Sequence, residues 1–203
     1  MIILKLSELK TPQDLATYLG VDYFQHVVFH IYIYPKEKRY LSFEIPKKSG
    51  GTRKIQAPAT HLKTLQRKLA SKLIEEYRVQ HPAHGFLRQR SIITNADRHI
   101  NKRYVLNIDL KDFFGTINFG RVRGMFMGKP YSLPPKIATI LAQICCHDNA
   151  LPQGAPTSPI ITNMICSKLD NQLRKMAQSH LCTYTRYADD ITISTNRKLF
   201  PKD

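Results

Sequence analysis

The chain has 203 residues, with 31 Lys plus Arg against 15 Asp plus Glu, a formal net charge of +16, and 42% hydrophobic residues. At this size roughly 70% of the unfolded surface can be buried, which argues against wholesale disorder, while the charge calls for a polyanionic partner. No run approaches the roughly 18 uninterrupted apolar residues of a membrane span.

The opening Met1-Ile-Ile-Leu-Lys-Leu6 has neither the basic start nor the small-residue cleavage site of a signal peptide, so a cytoplasmic protein is expected. Cys145, Cys146, Cys166 and Cys182 contain no C-x-x-C pair. They read as reduced thiols packed as small apolar groups, not as disulfides or a zinc site.

Thr11-Pro-Gln-Asp14 predicts a helix start and Gly20 its stop. From Tyr40 to Ala57, Leu41, Phe43 and Ile45 alternate before a glycine turn at Gly50-Gly51 and a second run, Arg53-Lys-Ile55. This predicts a β-hairpin. It is basic: residues 36 to 54 hold seven Lys or Arg and two Glu.

Leu62, Leu65, Leu69, Leu73 and Tyr77 recur at three- and four-residue steps, an amphipathic helix with Lys63, Arg67, Lys68 and Lys72 on its other face. Those charges fit a solvated face or a strip beside a phosphate backbone. Beyond His84-Gly-Phe86, a helix is expected near Ser91 to Ile100, then a strand, Tyr104 to Ile108, ending in Asp109. Helices are expected near Asn118 to Met127 and Pro134 to Cys146. The three-proline loop from Leu151 to Pro159 leads into another, from about Ile160 to Gln178. Cys182 to Arg186 and Ile191 to Thr195 then flank Tyr187-Ala-Asp-Asp190 as a second hairpin.

In so basic a chain, Asp109 and the pair Asp189-Asp190 stand inside or beside apolar β-type runs, positions expected to be at least partly buried. Adjacent carboxylates repel unless a cation lies between them or one takes up a proton. Mg²⁺ suits such oxygen donors, and two ions in a shared site support in-line phosphoryl displacement. An ordinary turn also accommodates an Asp-Asp pair. The side chain of Asp112 reads as a helix-start residue.

Taken in order, Asp109-Leu-Lys-Asp-Phe-Phe114, Leu151-Pro-Gln-Gly-Ala-Pro-Thr-Ser-Pro159 and Tyr187-Ala-Asp-Asp190 resemble the three central palm motifs of reverse transcriptases. Ile45-Pro-Lys-Lys-Ser-Gly-Gly-Thr-Arg-Lys-Ile55 is similar to the fingers hairpin of bacterial members, and Asn95-Ala-Asp-Arg-His99 resembles an element of the retron type. The resemblance runs from about residue 40 to 195.

It implies an α+β, right-hand polymerase fold: an N-terminal helical segment over 1–39, fingers with the basic hairpin over 40–103, and an antiparallel palm sheet backed by helices over 104–203, with fingers-like helices partly interleaved. Asp109, Asp189 and Asp190 would be the catalytic metal-site carboxylates, with the Leu110 carbonyl a further ligand to two Mg²⁺ ions, Mn²⁺ being a substitute. For the incoming dNTP, the amides of Asp112 and Phe113 would approach the triphosphate, held also by Arg53 and by Lys47 or Lys48. Phe114 would exclude a 2′-OH, leaving Phe113 as the core aromatic because strand neighbours point oppositely. Gln153 and Gly154 would line the nucleotide and template pocket. Asn95 and His99 read as capping or packing residues, and His84-Gly85 as structural or template-adjacent.

The implied partners are a structured RNA template, nascent DNA and an accessory effector protein, with no membrane. The implied role is copying a cognate RNA into branched RNA-DNA (msDNA) in anti-phage defence. Only 13 residues follow Asp190, so no thumb is expected within this chain. A group II intron or other bacterial reverse transcriptase is the alternative within the class. A catalytically inactive RNA-binding fragment is the alternative outside it.

Overall fold

The computed structural model describes residues 4–47 and 50–200, so Lys48 lies outside the described residues. In chain order the longer elements are α1 (Pro12–Leu19), a wide helical stretch (Tyr23–Ile33), β1 (Tyr40–Pro46), β2 (Thr52–Pro58), α2 (Thr60–Glu76), α3 (Ile92–Ala96), β3 (Tyr104–Asp109), α4 (Phe119–Met127), α5 (Pro135–Cys145), α6 (Ser158–Ser179), β4 (Thr183–Tyr187) and β5 (Asp190–Thr195). The fold is mixed helix and antiparallel sheet.

Two compact units share the chain: Met1–Tyr77 with Phe114–Ile161, and Arg78–Phe113 with Thr162–Asp203. Each unit is made of two separate stretches of the chain.

In the first unit α1 begins as its residues require. The Thr11 hydroxyl accepts from the Asp14 amide at 3.1 Å, the Asp14 carboxylate accepts from the Thr11 amide at 2.8 Å, and Gly20 ends the helix at φ 61°. Along α2, Leu62, Leu65, Leu69 and Leu73 are buried while Arg67 and Lys68 are exposed. Each buried leucine contributes roughly 1.5–3 kcal/mol of burial. Gln66, wholly buried, donates to both the Tyr40 hydroxyl and the Ile144 carbonyl at 2.7 Å, tying α2 to β1 and α5.

β1 and β2 pair antiparallel from Tyr40 opposite Pro58 to Pro46 opposite Thr52. The helical stretch from Tyr23 had no counterpart in the sequence reading. Its start is capped by Asp22, whose carboxylate accepts from the Gln25 amide at 2.8 Å.

The second unit is built on an antiparallel sheet of order β3-β5-β4. One face carries Tyr184, Ile191 and Ile193 against Leu173 and Ala177 of α6. On the other face His99, in a short turn of helix after α3, bridges the Thr185 hydroxyl at 2.7 Å and the Ser194 hydroxyl at 2.6 Å. Burial, and then the charge of Lys102, lowers the His99 pKa, which keeps the ring neutral and free to donate through one nitrogen and accept through the other. His99 is therefore a cross-sheet pin.

One expectation fails. β3 is exposed along its whole length, Val105 at 49% and Ile108 at 42%, and Asp109 and Asp190 are exposed while Asp189 is half-buried. Strand β3 is an edge, and the elements covering the sheet lie over β4 and β5. An apolar run of strand residues reports a strand, not its depth.

Candidate functional site

Within the second unit the register sets the three aspartates. Asp109, the last residue of β3, stands opposite Asp190, the first of β5. Because Tyr187 pairs with Asp190, Ala188 and Asp189 form a two-residue turn, and Ala188 takes φ 56°. For a residue with a Cβ that conformation costs about 1–2 kcal/mol. The Leu110 amide donates to the Asp189 carbonyl at 3.1 Å, stitching the end of β3 to the turn.

The carboxylates sense one another. Partial desolvation of a side chain that is still largely exposed, then the charges of Asp189 and Asp109, raises the Asp190 pKa above its ordinary 3.8. No ion pair reaches any of the three among the described residues, and no three His, Cys, Asp or Glu side chains there are grouped as a ready-made metal site. The donor set itself, three mutually repelling carboxylates at one end of two paired strands, fits a hard divalent cation.

A sign follows from the raised pKa. The native state holds the Asp190 proton more tightly than the unfolded chain does, so stability is lost as pH rises from about 3.8 through the native pKa. Without divalent metal, Asp190→Asn should melt above the parent at neutral pH, with the difference vanishing below about pH 4. Thermal melts at both pH values check this; equal melting at neutral pH contradicts it.

Behind the turn lies a group that sequence reasoning missed. Arg186 is wholly buried, and its guanidinium makes two parallel bonds to Asp170 of α6, Nε to Oδ1 and Nη2 to Oδ2, both 2.8 Å. Nη2 also donates to the Asn163 side chain at 3.2 Å, and Nη1 to the Ala188 carbonyl at 2.8 Å. The Tyr184 hydroxyl donates to Asp170 at 2.8 Å. Burial works against the Arg186 charge, yet the Asp170 hydrogen bonds and charge hold its pKa above the usual value.

The segment before α3 closes on the same turn. The Arg186 amide donates to the Pro82 carbonyl and the His84 amide to the Arg186 carbonyl, each at 2.8 Å. A Cβ on Gly85 would lie 2.3 Å from the Ala188 nitrogen, so only glycine fits. His84 shares a 2.9 Å hydrogen bond with Thr94, and burial, then nearby Arg90 and Arg98, lowers its pKa to about 4. A signal for Arg186 did exist: strand alternation puts it on the face of Tyr184, beneath a helix carrying one of the chain's few acids.

The link after β3 differs from expectation. Asp112 does not start a helix: it sits in a turn at φ 49°, and α4 is capped by Asn118, which accepts from the Arg121 amide at 2.9 Å. Asp tolerates that left-handed backbone better than most residues. Phe113 is buried and Phe114 half-buried, but both belong to this turn, so strand alternation is not what separates them.

In the first unit Lys47 and Arg53 are exposed on the hairpin, and the Lys47 amide donates to the Gly51 carbonyl at 3.0 Å. The Gln153 carbonyl accepts from the Gln56 amide at 2.7 Å, docking the proline loop on β2. Gly154 follows at φ 127°, and a Cβ there would meet the Gln56 carbonyl oxygen at 2.8 Å. Gly154→Ala should therefore cost more than about 1 kcal/mol in urea unfolding. Parent-like stability would show that the loop does not need this contact.

Residues 45–199 match the family model described as reverse transcriptase (RNA-dependent DNA polymerase). Among curated relatives, the chain is 39% identical to the retron Mx65 reverse transcriptase of Myxococcus xanthus over 91% of its own length and 47% of that protein's. It is 37% identical to the retron Mx162 reverse transcriptase of the same organism, over 97% and 44% of the two chains. With the retron Ec86 reverse transcriptase of Escherichia coli, identity is 40% over 80% and 51%. The chain thus spans about half the length of the curated relatives it matches.

Proposed function

Because the chain belongs to the reverse transcriptase family, we propose that it supplies the fingers and palm of a retron-type RNA-directed DNA polymerase that builds DNA on a structured RNA. The observation that carries this reading is the placement of Asp109, Asp190 and Asp189 at one end of the β3–β5 pair.

These carboxylates, with the Leu110 carbonyl, would hold two divalent ions, Mg²⁺ by preference and Mn²⁺ as substitute. When bound, the metals favour ionisation of the attacking hydroxyl and offset charge on the leaving pyrophosphate. Arg53 offers the planar fork that suits phosphate oxygens, and Lys47 or Lys48 a point charge. The amides of Asp112 and Phe113 would donate to the triphosphate, Phe114 would exclude the 2′-OH, and Gln153 and Gly154 would line the nucleotide and template pocket. Such a polymerase works where dNTPs and RNA meet, in the bacterial cytoplasm, and its family role is msDNA synthesis in anti-phage defence with an accessory effector.

Primer extension by this chain on an RNA template with dNTPs and Mg²⁺ tests the proposal. Template-dependent DNA supports it. Tight RNA binding that falls steeply with salt, with no incorporation at any Mg²⁺ or Mn²⁺ concentration, would favour an RNA-binding fragment instead.

A further inference from the structure

The turn that carries Asp189 and Asp190 has both of its carbonyls tied. The Asp189 carbonyl accepts from the Leu110 amide, and the Ala188 carbonyl from Arg186 Nη1. The first bond lies just past the end of β3 and joins it to the turn. The second comes from a wholly buried guanidinium whose Nε and Nη2 donors go to Asp170 and Asn163, both themselves fully buried. Asn163 continues the frame, donating to the Gly85 carbonyl at 3.0 Å, next to the point where Gly85 abuts the Ala188 nitrogen. Ala188 is thereby flanked on both of its peptide groups, the 187–188 peptide by the close approach of Gly85 to its nitrogen and the 188–189 peptide by Arg186 on its oxygen.

Stability alone does not account for this arrangement, because well-packed apolar side chains of similar volume commonly serve a core as well as a buried ion pair or better. What an apolar replacement cannot supply is a donor aimed at the Ala188 carbonyl. Asp190 is already held in register by β3 and β4, and the Asp189 carbonyl by Leu110, so the remaining freedom of the turn lies at the 188–189 peptide, whose rotation would reorient the Asp189 side chain and shift the start of β5; the Arg186 bond to the Ala188 carbonyl restrains that rotation.

We propose that Arg186, clamped by Asp170, Asn163 and, through Asp170, Tyr184, is a positioning residue that aims the carboxylates of Asp189 and Asp190 through the Ala188 carbonyl. This rests on the reading of those carboxylates, with Asp109, as a divalent-metal site.

Mn²⁺ binding to the 203-residue chain without RNA or nucleotide, followed by the electron paramagnetic resonance signal of free Mn²⁺, separates positioning from mere support. Arg186→Lys keeps the charge but lacks the fork that reaches Asp170 and Ala188 together, and should weaken Mn²⁺ binding about tenfold or more, the usual size of an outer-shell effect. Tyr184→Phe removes a single hydrogen bond from Asp170, one step further from the carboxylates than Arg186, and should weaken it by about threefold, less than a direct outer-shell partner would, with the far-ultraviolet circular dichroism unchanged. If Arg186→Lys does not fold, Tyr184→Phe decides. A purely supporting role would lower the melting temperature and leave Mn²⁺ affinity, measured well below it, at the parent value; that result overturns the proposal. Asp190→Asn distinguishes the failures. Parent-like Mn²⁺ binding in Asp190→Asn overturns the metal-site reading and this role with it, whereas lost binding there beside parent-like binding in the other two variants overturns the positioning role alone.

Discussion

In the polymerase proposed above, replacing Asp190 with alanine is expected to abolish template-dependent dNTP incorporation, by on the order of 10³-fold or more, equivalent to about 4 kcal/mol of transition-state stabilisation. If the three carboxylates hold Mg²⁺, the parent should melt higher with Mg²⁺ than without it and Asp190→Ala should not, which reads the site without relying on turnover. Asp109→Ala should behave alike, since the two residues face each other across β3 and β5. The fold is not at risk: both side chains are exposed, and no ion pair depends on either among the described residues. In the metal-free state Asp190→Ala relieves repulsion from Asp189 and Asp109, so a gain in stability combined with a loss of function is the expected signature. Undiminished synthesis, or a Mg²⁺-dependent melting shift equal to the parent's, would remove these carboxylates from the metal site.

Asp170→Ala is expected to destabilise the chain by about 3–5 kcal/mol, the cost of stranding a buried charge. Arg186 would keep Asn163 and the Ala188 carbonyl but lose both of its charge-assisted bonds, and the Tyr184 hydroxyl would lose its acceptor. Urea unfolding measures the loss, which should appear as a lower midpoint with little change in slope. Replacing both members together, Arg186→Met with Asp170→Leu, should recover much of the stability because no orphan charge remains. That double variant would still lack the donor to Ala188. A loss under about 1 kcal/mol in Asp170→Ala would mean that water reaches Arg186 readily, contrary to its burial.

Much of the local structure was legible from residues near in sequence. The Thr11–Asp14 cap, the leucine stripe of α2, the antiparallel pairing of β1 with β2 and the two-residue turn before Asp190 all follow from short-range rules. The helix from Tyr23 escaped notice because its residues are apolar nearly all round and offer no stripe. Asp112 was misread because Asp serves equally as a helix cap and as a left-handed turn residue, and only the backbone tells which. Depth was misjudged at β3 because apolar residues on an edge strand look the same in sequence as those on a central one.

The sequence by itself determined the chemistry available: a strongly basic chain, three aspartates at the ends of strand-like runs, and motifs in an order shared with reverse transcriptases. Tertiary structure decided how those aspartates are held. Arg186 finds Asp170 16 residues away, and His99 reaches Thr185 86 residues away. Gly85 meets Ala188 only once the segment from Pro82 lies along β4. Caps, stripes and turns are set by interactions within about one turn or one strand pair and so leave a mark in nearby residues. A buried charge is tolerated only where several distant groups converge on it, and that convergence exists only when the chain has closed upon itself.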